Sequence, residues 1–377
     1  MPREINNGRL IRLSSTHSEP YSAHGHALYF GSGREAVLSL ARSVGKPSGN
    51  VVLLPAYVPE GLFRPFELDG WKIVLYQVDS DLDPLWESLV QLLDEKRAQI
   101  AVIIHYFGLH KDAERFSDAC HRRGTLVLED MAHVLPGYAC ACGRAGDFIL
   151  YSPGKCLGVP DGGVLVCRSS IPGLQEPRMH FDPRRSLYLS QQLSLLLMNF
   201  VSRRIPAGWW LRMLRGVSRV FMDSYRSLMS YFHDPHRASW MTRYLLRHTD
   251  WDSCSMIRAK HARSYASGLD AVVFRQFRGS LAAGGGPYGY PVRVRDRDGL
   301  RLYLRRHGIS GAVLDTHWDF IPHHTQETHH REAKRVLAEH FLFPVNHDLS
   351  SEEVATVISV ANQWAKIVRQ SINAADS

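Results

Sequence analysis

From residue 27 to residue 167, short apolar runs alternate with segments whose apolar residues recur three and four apart. The run 27–30 breaks at Gly31-Ser32-Gly33 and leads into 34–44, where Ala36, Val37, Leu40 and Ala41 have helical spacing and Gly45 supplies a stop. The rhythm then repeats. It predicts strands at 51–54, 72–76 and 100–105, separated by helices at 60–68 and 85–93, then a helix at 113–123 and strands at 125–128, 148–151 and 163–167. Strands alternating with helices predict an α/β fold: a mostly parallel central sheet with helices on both faces. Ligands of such sheets bind beyond the carboxyl ends of the strands, and Gly33, Tyr57, Asp130 and Lys155 all follow predicted strands.

The alternation stops after that. Residues 187–246 are apolar and basic helices, with 193–201 and 209–232 the clearest. Beyond 251 the pattern predicts a helix at 256–269, a strand at 290–294, and helices at 297–307, near 327–338 and at 351–368, a smaller α+β unit. The expected organisation is therefore an N-terminal arm (1–26), a large α/β domain (27–186), a helical insertion (187–250) and a small C-terminal α+β domain (251–377). Gly284-Gly285-Gly286 is expected to form only a local loop.

With 377 residues and 45% hydrophobic content the chain can bury a large core. A formal charge of +8, densest between Arg184 and Arg247, permits an anionic partner, but it is not arranged as any nucleic-acid-binding fold. Six cysteines form no paired CxxC framework, and the N-terminus is too polar for a signal peptide, so a reducing cytoplasm is expected. No run reaches the roughly 20 apolar residues that span a bilayer.

Chemistry concentrates in two segments, Leu128-Glu129-Asp130-Met131-Ala132-His133 and Tyr151-Ser152-Pro153-Gly154-Lys155, the latter running on to Gly162-Gly163. A lysine that forms a Schiff base must lose its proton near neutral pH, which partial desolvation beside another cation arranges. An aspartate ending an apolar run keeps a pyridine nitrogen protonated, so the ring accepts electrons from a substrate carbon. Lys155 and Asp130 together point to a pyridoxal 5'-phosphate (PLP) site. Asp130 also suits a helix N-cap, and His133 suits a hydrogen-bonded fold residue as well as a cofactor neighbour. His323, His324, His329 and His330 lack a regular ligand spacing, so no metal is expected.

In their order, the motifs resemble the fold type I PLP enzymes of the DegT/StrS sugar aminotransferase group. The likeness rests on Phe30-Gly31-Ser32-Gly33-Arg34-Glu35-Ala36, Leu54-Pro55-Ala56-Tyr57, His105-Tyr106-Phe107-Gly108, the Asp130 segment and 152–163, then 308–318 and Phe343-Pro344-Val345. It implies that Lys155 forms the Schiff base and shuttles a proton, and that Asp130 holds the pyridinium. It also implies that His133 lies beside the cofactor's phenolic oxygen, and that Ser32, Gly33, Arg34 and Ser152 form the phosphate site. Three features depart from the family. Ser152 and Lys155 are three rather than five apart. Pro59 stands where a stacking aromatic is usual, which leaves Tyr57 as candidate stacker or simply a packing residue. No Asn-Tyr-Arg motif is present, and 187–246 stands in its place.

The implied activity is transfer of an amino group from glutamate or a similar donor to a keto sugar carried by a nucleotide, in cell-surface polysaccharide or secondary-metabolite synthesis. A PLP lyase or dehydratase on a similar substrate, and a non-catalytic regulatory protein that keeps the fold, are the alternatives. A homodimer is expected, since family members build each site at a subunit boundary. The arginines and aromatics of 187–246 suit either a dimer face or a peripheral contact with an anionic inner-membrane surface.

Overall fold

The computed structural model describes residues 5, 11–15, 19–45, 49–140, 143–178, 183–204, 234–281, 283–314 and 330–375. The alternation forms as expected: β1 (His26–Phe30), α1 (Gly33–Val44), β2 (Val51–Pro55), α2 (Glu60–Leu68), β3 (Lys72–Tyr76), α3 (Trp86–Lys96), β4 (Ile100–Ile104), α4 (Ala113–His121) and β5 (Leu126–Asp130). A short β6 (Val134–Pro136) then precedes β7 (Phe148–Tyr151) and β8 (Gly163–Cys167). All but β6 join one seven-stranded sheet in the order β1-β8-β7-β5-β4-β2-β3.

Strands β7, β5, β4, β2 and β3 run parallel, while β8 is antiparallel to both neighbours, β1 and β7. One reversed strand positions the site. The carboxyl ends of β1, β5 and β7 lie on the same edge, and β8 begins there, with Gly163 opposite Phe30. Every residue of β4, β7 and β8 is buried, which is why their sequences are continuous apolar runs rather than alternating ones.

After β8 the chain enters α5 (Pro183–Arg204), which begins ten residues before the helix read from the periodicity at 193. The segment 209–232 lies outside the described residues. The chain returns in α6 (Trp240–Arg247), capped by the Ser239 hydroxyl on the Thr242 amide, and α7 (Trp251–Gly268). Helix α7 starts five residues earlier than its apolar period, because the Asp250 carboxylate accepts from the Ser253 amide and caps it.

Strands β9 (Arg275–Gln276), β10 (Gly285–Pro287) and β11 (Tyr290–Arg293) follow, then α8 (Arg297–Arg306), α9 (Arg331–Glu339), β12 (His340–Phe343) and α10 (Ser351–Ala375). Strand β11 lies between β12 and β9, with Tyr265, Phe274, Val292, Phe343 and Trp364 in a core of their own. Ile5 joins that core through a bridge to Ile309, so the arm reaches the C-terminal part of the chain.

The glycine triplet is not merely a loop. Gly285 and Gly286 belong to β10, which pairs antiparallel with β6 just beyond Asp130. A Cβ at Gly286 would sit 2.8 Å from the Ser255 Cα, so glycine is what lets β10 pass between β6 and α7. Composition alone cannot distinguish such a close approach from a turn.

Candidate active site

The end of β1 and the start of α1 form one wall. The Ser32 hydroxyl accepts from the Glu35 amide (3.3 Å) and caps α1, whose first-turn N–H groups carry the positive end of the helix dipole. The turn is held from three sides. Gly162 donates to the Gly31 carbonyl (2.8 Å) and Gly31 donates to the His236 carbonyl (2.7 Å). Arg185 of α5, buried, reaches Glu35 (3.3 Å) and Asp161 (2.7 Å), and its guanidinium fills the space a Cβ on Gly31 would need. Asp161 also accepts from the Ser239 hydroxyl (2.7 Å) and from Thr242. Arg185, just before the 187–250 segment, and His236, Ser239 and Thr242, near its end, thus brace the turn, a connection with no local sequence signal.

Gly163 permits a close backbone-to-backbone contact. A Cβ there would lie 2.3–2.4 Å from the Ser32 and Gly33 backbone. Gly163→Ala should destabilise the protein by about 1–3 kcal/mol through overpacking and weaken binding of a phosphate ligand at the turn. Urea unfolding and PLP titration check this; an unchanged midpoint and unchanged affinity would contradict the contact.

Opposite the turn, β5 ends at Asp130, whose carboxylate accepts from the Ala132 amide (2.8 Å). Strand β7 ends at Tyr151, and the chain curls into a 3-10 turn, Pro153–Lys155, with the Lys155 amide donating to the Ser152 carbonyl (3.0 Å). Arg258 of α7, fully buried, fixes this turn by donating to the Cys156 carbonyl (2.7 Å) and to the Pro287 carbonyl (3.0 Å). Burial lowers the Lys155 pKa from its ordinary value; the Asp130 charge opposes this and Arg34 reinforces it. Burial raises the Asp130 carboxyl above the ordinary range, against the pull of Lys155. Each charge is what limits the other's shift.

A cavity of about 450 Å³ joins the two walls. Ser32, Gly33, Arg34, Asp130, His133, Ser152 and Lys155 all line it, so residues spread over 120 positions meet in one space. Tyr57 does not line it. Its side chain is fully buried against Tyr106 and His340, with ring centroids 5.5 and 6.2 Å away, and its carbonyl accepts from the Tyr106 hydroxyl. Tyr288 takes an aromatic place in the wall instead, stacked on His133 at 5.2 Å. Arg64, Arg185, Tyr188, Tyr288 and Leu314 are lining residues that the motifs did not indicate. The His133 Nδ1 accepts from the Phe107 amide (3.1 Å), and burial, with Lys155 nearby, holds the imidazole well below its ordinary pKa.

Behind Asp130, Glu129 is buried and accepts from His105 Nε2 (2.9 Å) and from the amides of Gly143, Ala145 and Gly146. Burial works against the charge, but the His105 bond and the Gly146 and Gly143 amides outweigh it and bring the carboxyl down to about 2, from an ordinary 4.5. A depressed pKa means stability present above 4.5 and lost as pH falls towards 2. Glu129→Gln should therefore be destabilising at neutral pH, with the gap to wild type closing over that acid window. Equal melting temperatures at pH 7 would exclude this role.

Among the described residues no group of three His, Cys, Asp or Glu side chains is placed to hold a metal; His323, His324 and His329 lie outside them, and His330 is buried at the start of α9. The described cysteines, Cys120, Cys140, Cys156, Cys167 and Cys254, are buried and form no disulfide. No described helix is long and apolar enough to cross a membrane.

Residues 5–172 match the model of the DegT/DnrJ/EryC1/StrS aminotransferase family. No curated protein sequence matches the chain. Solved structures with a similar fold include DesV of S. venezuelae, in complex with a ketimine intermediate, at 21% identity, covering 92% of this chain and 87% of that one with a TM-score of 0.63. The sugar aminotransferase CalS13 of Micromonospora echinospora aligns at 18% identity over 94% and 98% of the two chains (TM-score 0.59). Spr1654 of Streptococcus pneumoniae, in its PLP form, aligns at 16% identity over 92% and 89% (TM-score 0.64). Over residues 5–172 the chain is thus similar to the DegT/DnrJ/EryC1/StrS aminotransferase family, and it shares the fold of these solved aminotransferase structures.

Proposed function

We propose that the enzyme moves an amino group from glutamate, or a similar amino acid, to the keto carbon of a sugar carried by a nucleotide. The observation that carries this is Asp130 and Lys155 facing one cavity whose opposite wall is the N-terminus of α1 with Arg34. The donor set fits PLP at both ends, because an anion-binding turn and a carboxylate flank a lysine that burial inclines to be neutral. PLP, when bound, supplies an electron sink for the carbon next to the transferred nitrogen.

In this assignment the Gly33 and Arg34 amides, the Ser32 turn, the Arg34 side chain and the Ser152 hydroxyl bind the phosphate. Asp130 keeps the ring nitrogen protonated. Lys155 Nζ takes a proton from one carbon and returns it to another, the role of a positioned general base and then acid. His133 donates to the phenolic oxygen. Tyr57 packs in the core against Tyr106, and Tyr288 replaces it as candidate ring neighbour. Residues 27–186 form the cofactor domain, 187–250 an insertion that braces it, and 251–377 a smaller domain that covers it, with the arm 1–26 tying the ends together. Incubation with glutamate alone should release one keto acid per site. A mass-spectrometric screen of nucleotide-linked keto sugars then identifies the acceptor, and no aminated product from any of them would reject this substrate class.

The enzyme acts as a cytoplasmic homodimer in this proposal. Buried thiols outside any disulfide suit a reducing compartment. Exposed Leu187, Leu193 and Leu197 on α5, with Trp240 and Tyr244 on α6, supply apolar surface for a second copy. An active monomer by light scattering would overturn the dimer, and flotation with anionic vesicles at low salt would reassign 187–246 to a membrane surface.

A further inference from the structure

Leu82, Arg97 and Phe107 are the described non-glycine residues with positive φ, and Phe107 belongs to the turn that contacts the cavity residue His133. It sits in the turn after β4 at φ 61°, ψ 0°, a left-handed conformation that a side-chain-bearing residue adopts at a cost. The surroundings hold it there. His105, just before the turn, accepts the Lys111 amide on Nδ1 (3.2 Å) and meets Glu129 through Nε2 (2.9 Å). Tyr288 N lies 3.2 Å from the Phe107 carbonyl and 2.9 Å from the His133 carbonyl. The Phe107 ring stacks on His340 at 5.8 Å. Gly108, at φ 98°, completes the turn, since a Cβ there would lie 2.5 Å from the Pro287 Cα.

This conformation aims the Phe107 amide at His133 Nδ1, to which it donates a hydrogen bond (3.1 Å). A ring nitrogen that accepts from an amide N–H cannot itself carry a proton, so a neutral imidazole so held has its proton on Nε2. We propose that Phe107 is a positioning residue whose left-handed backbone fixes His133 as the Nε2–H tautomer, making the ring a hydrogen-bond donor at the cavity. Burial keeps that ring neutral. The identity of the oxygen that receives the bond rests on the PLP assignment above, whereas the tautomer does not.

The test reads the tautomer directly. Nitrogen-15 spectra of ring-labelled histidine, with the His133 signals assigned by their loss in His133→Gln, should show an unprotonated Nδ1 and a protonated Nε2 in the holoenzyme and after PLP removal. Phe107→Gly and Phe107→Asn, which tolerate positive φ and keep the amide, should retain that pattern. Phe107→Val, whose β-branch disfavours the left-handed region, should lose it and lower kcat roughly tenfold, the worth of one hydrogen bond of about 1.4 kcal/mol. A proton on Nδ1 in the wild type or in Phe107→Gly overturns the proposal, as does a folded Phe107→Val with an unchanged pattern. If the pattern is as expected but PLP does not bind, the cofactor assignment fails and the positioning role stands.

Discussion

Lys155→Ala is expected to abolish the visible absorption of the PLP-loaded enzyme and to lower amino transfer by at least about 10³–10⁴-fold, the upper part of what a positioned acid–base group contributes. Two effects combine in one side chain. In the proposed assignment the amine is the nucleophile that would attach the cofactor, and afterwards the group that would move the proton. The environment suits both, because burial and Arg34 press the ammonium towards its neutral form while Asp130 keeps the shift from running further. The variant should still fold, since the turn is fixed by main-chain bonds to Ser152 and by Arg258 on the Cys156 carbonyl. It should also still retain PLP non-covalently through the phosphate turn. Spectra and glutamate half-reaction rates decide this; a visible band that survives the substitution would show that another amine attaches the cofactor.

The motifs brought Ser32, Gly33, Arg34, Asp130, His133, Ser152 and Lys155 to one cavity because each follows a strand whose apolar run is unambiguous, and parallel sheets gather such ends on one edge. Tyr57 follows a strand as well, yet it does not line the cavity. The direction of a side chain within a loop was not legible: Pro59, Gly61, Leu62 and Arg64, a few residues further on, do line the cavity, whereas the Tyr57 ring turns into the core against Tyr106 and His340. Arg185 and Arg258 were missed for a related reason. Each acts from a helix far along the chain on a main-chain turn or a pair of carboxylates, and an arginine so used looks in sequence like any basic helix residue. Phe107 belongs to the motif His105-Tyr106-Phe107-Gly108, but its positive φ is a property of the folded turn that a phenylalanine does not advertise. Helices α5 and α7 begin before their apolar periods, α7 because Asp250 caps it and α5 with Arg185 of its first turn anchored on Glu35 and Asp161.

Asp130→Asn separates what the site needs from what the fold prefers. The Asp130 carboxyl is raised above its ordinary pKa mainly by burial, so ionising it costs more in the folded chain than in the unfolded one. A raised carboxyl pKa means stability that is full below the unfolded value and is lost as pH rises through the folded one. The isosteric amide removes that cost, and the PLP-free variant should melt at or above the wild-type temperature at pH 7. Activity moves the other way. An amide cannot balance the charge of a protonated ring nitrogen, and losing one partner of a buried ion pair costs about 3–5 kcal/mol, or roughly 10²–10⁴ in rate. The coupling to Lys155 gives a second, independent sign: Asp130 raises the Lys155 pKa, so in its absence burial and Arg34 act unopposed and the value falls. The pH midpoint for covalent attachment of PLP should therefore shift down in Asp130→Asn. A midpoint that moves up would refute the pairing of Asp130 with Lys155. A PLP-free variant that melts well below the wild type would show that Asp130 serves the fold, as a hydrogen-bonded end to β5, rather than the chemistry.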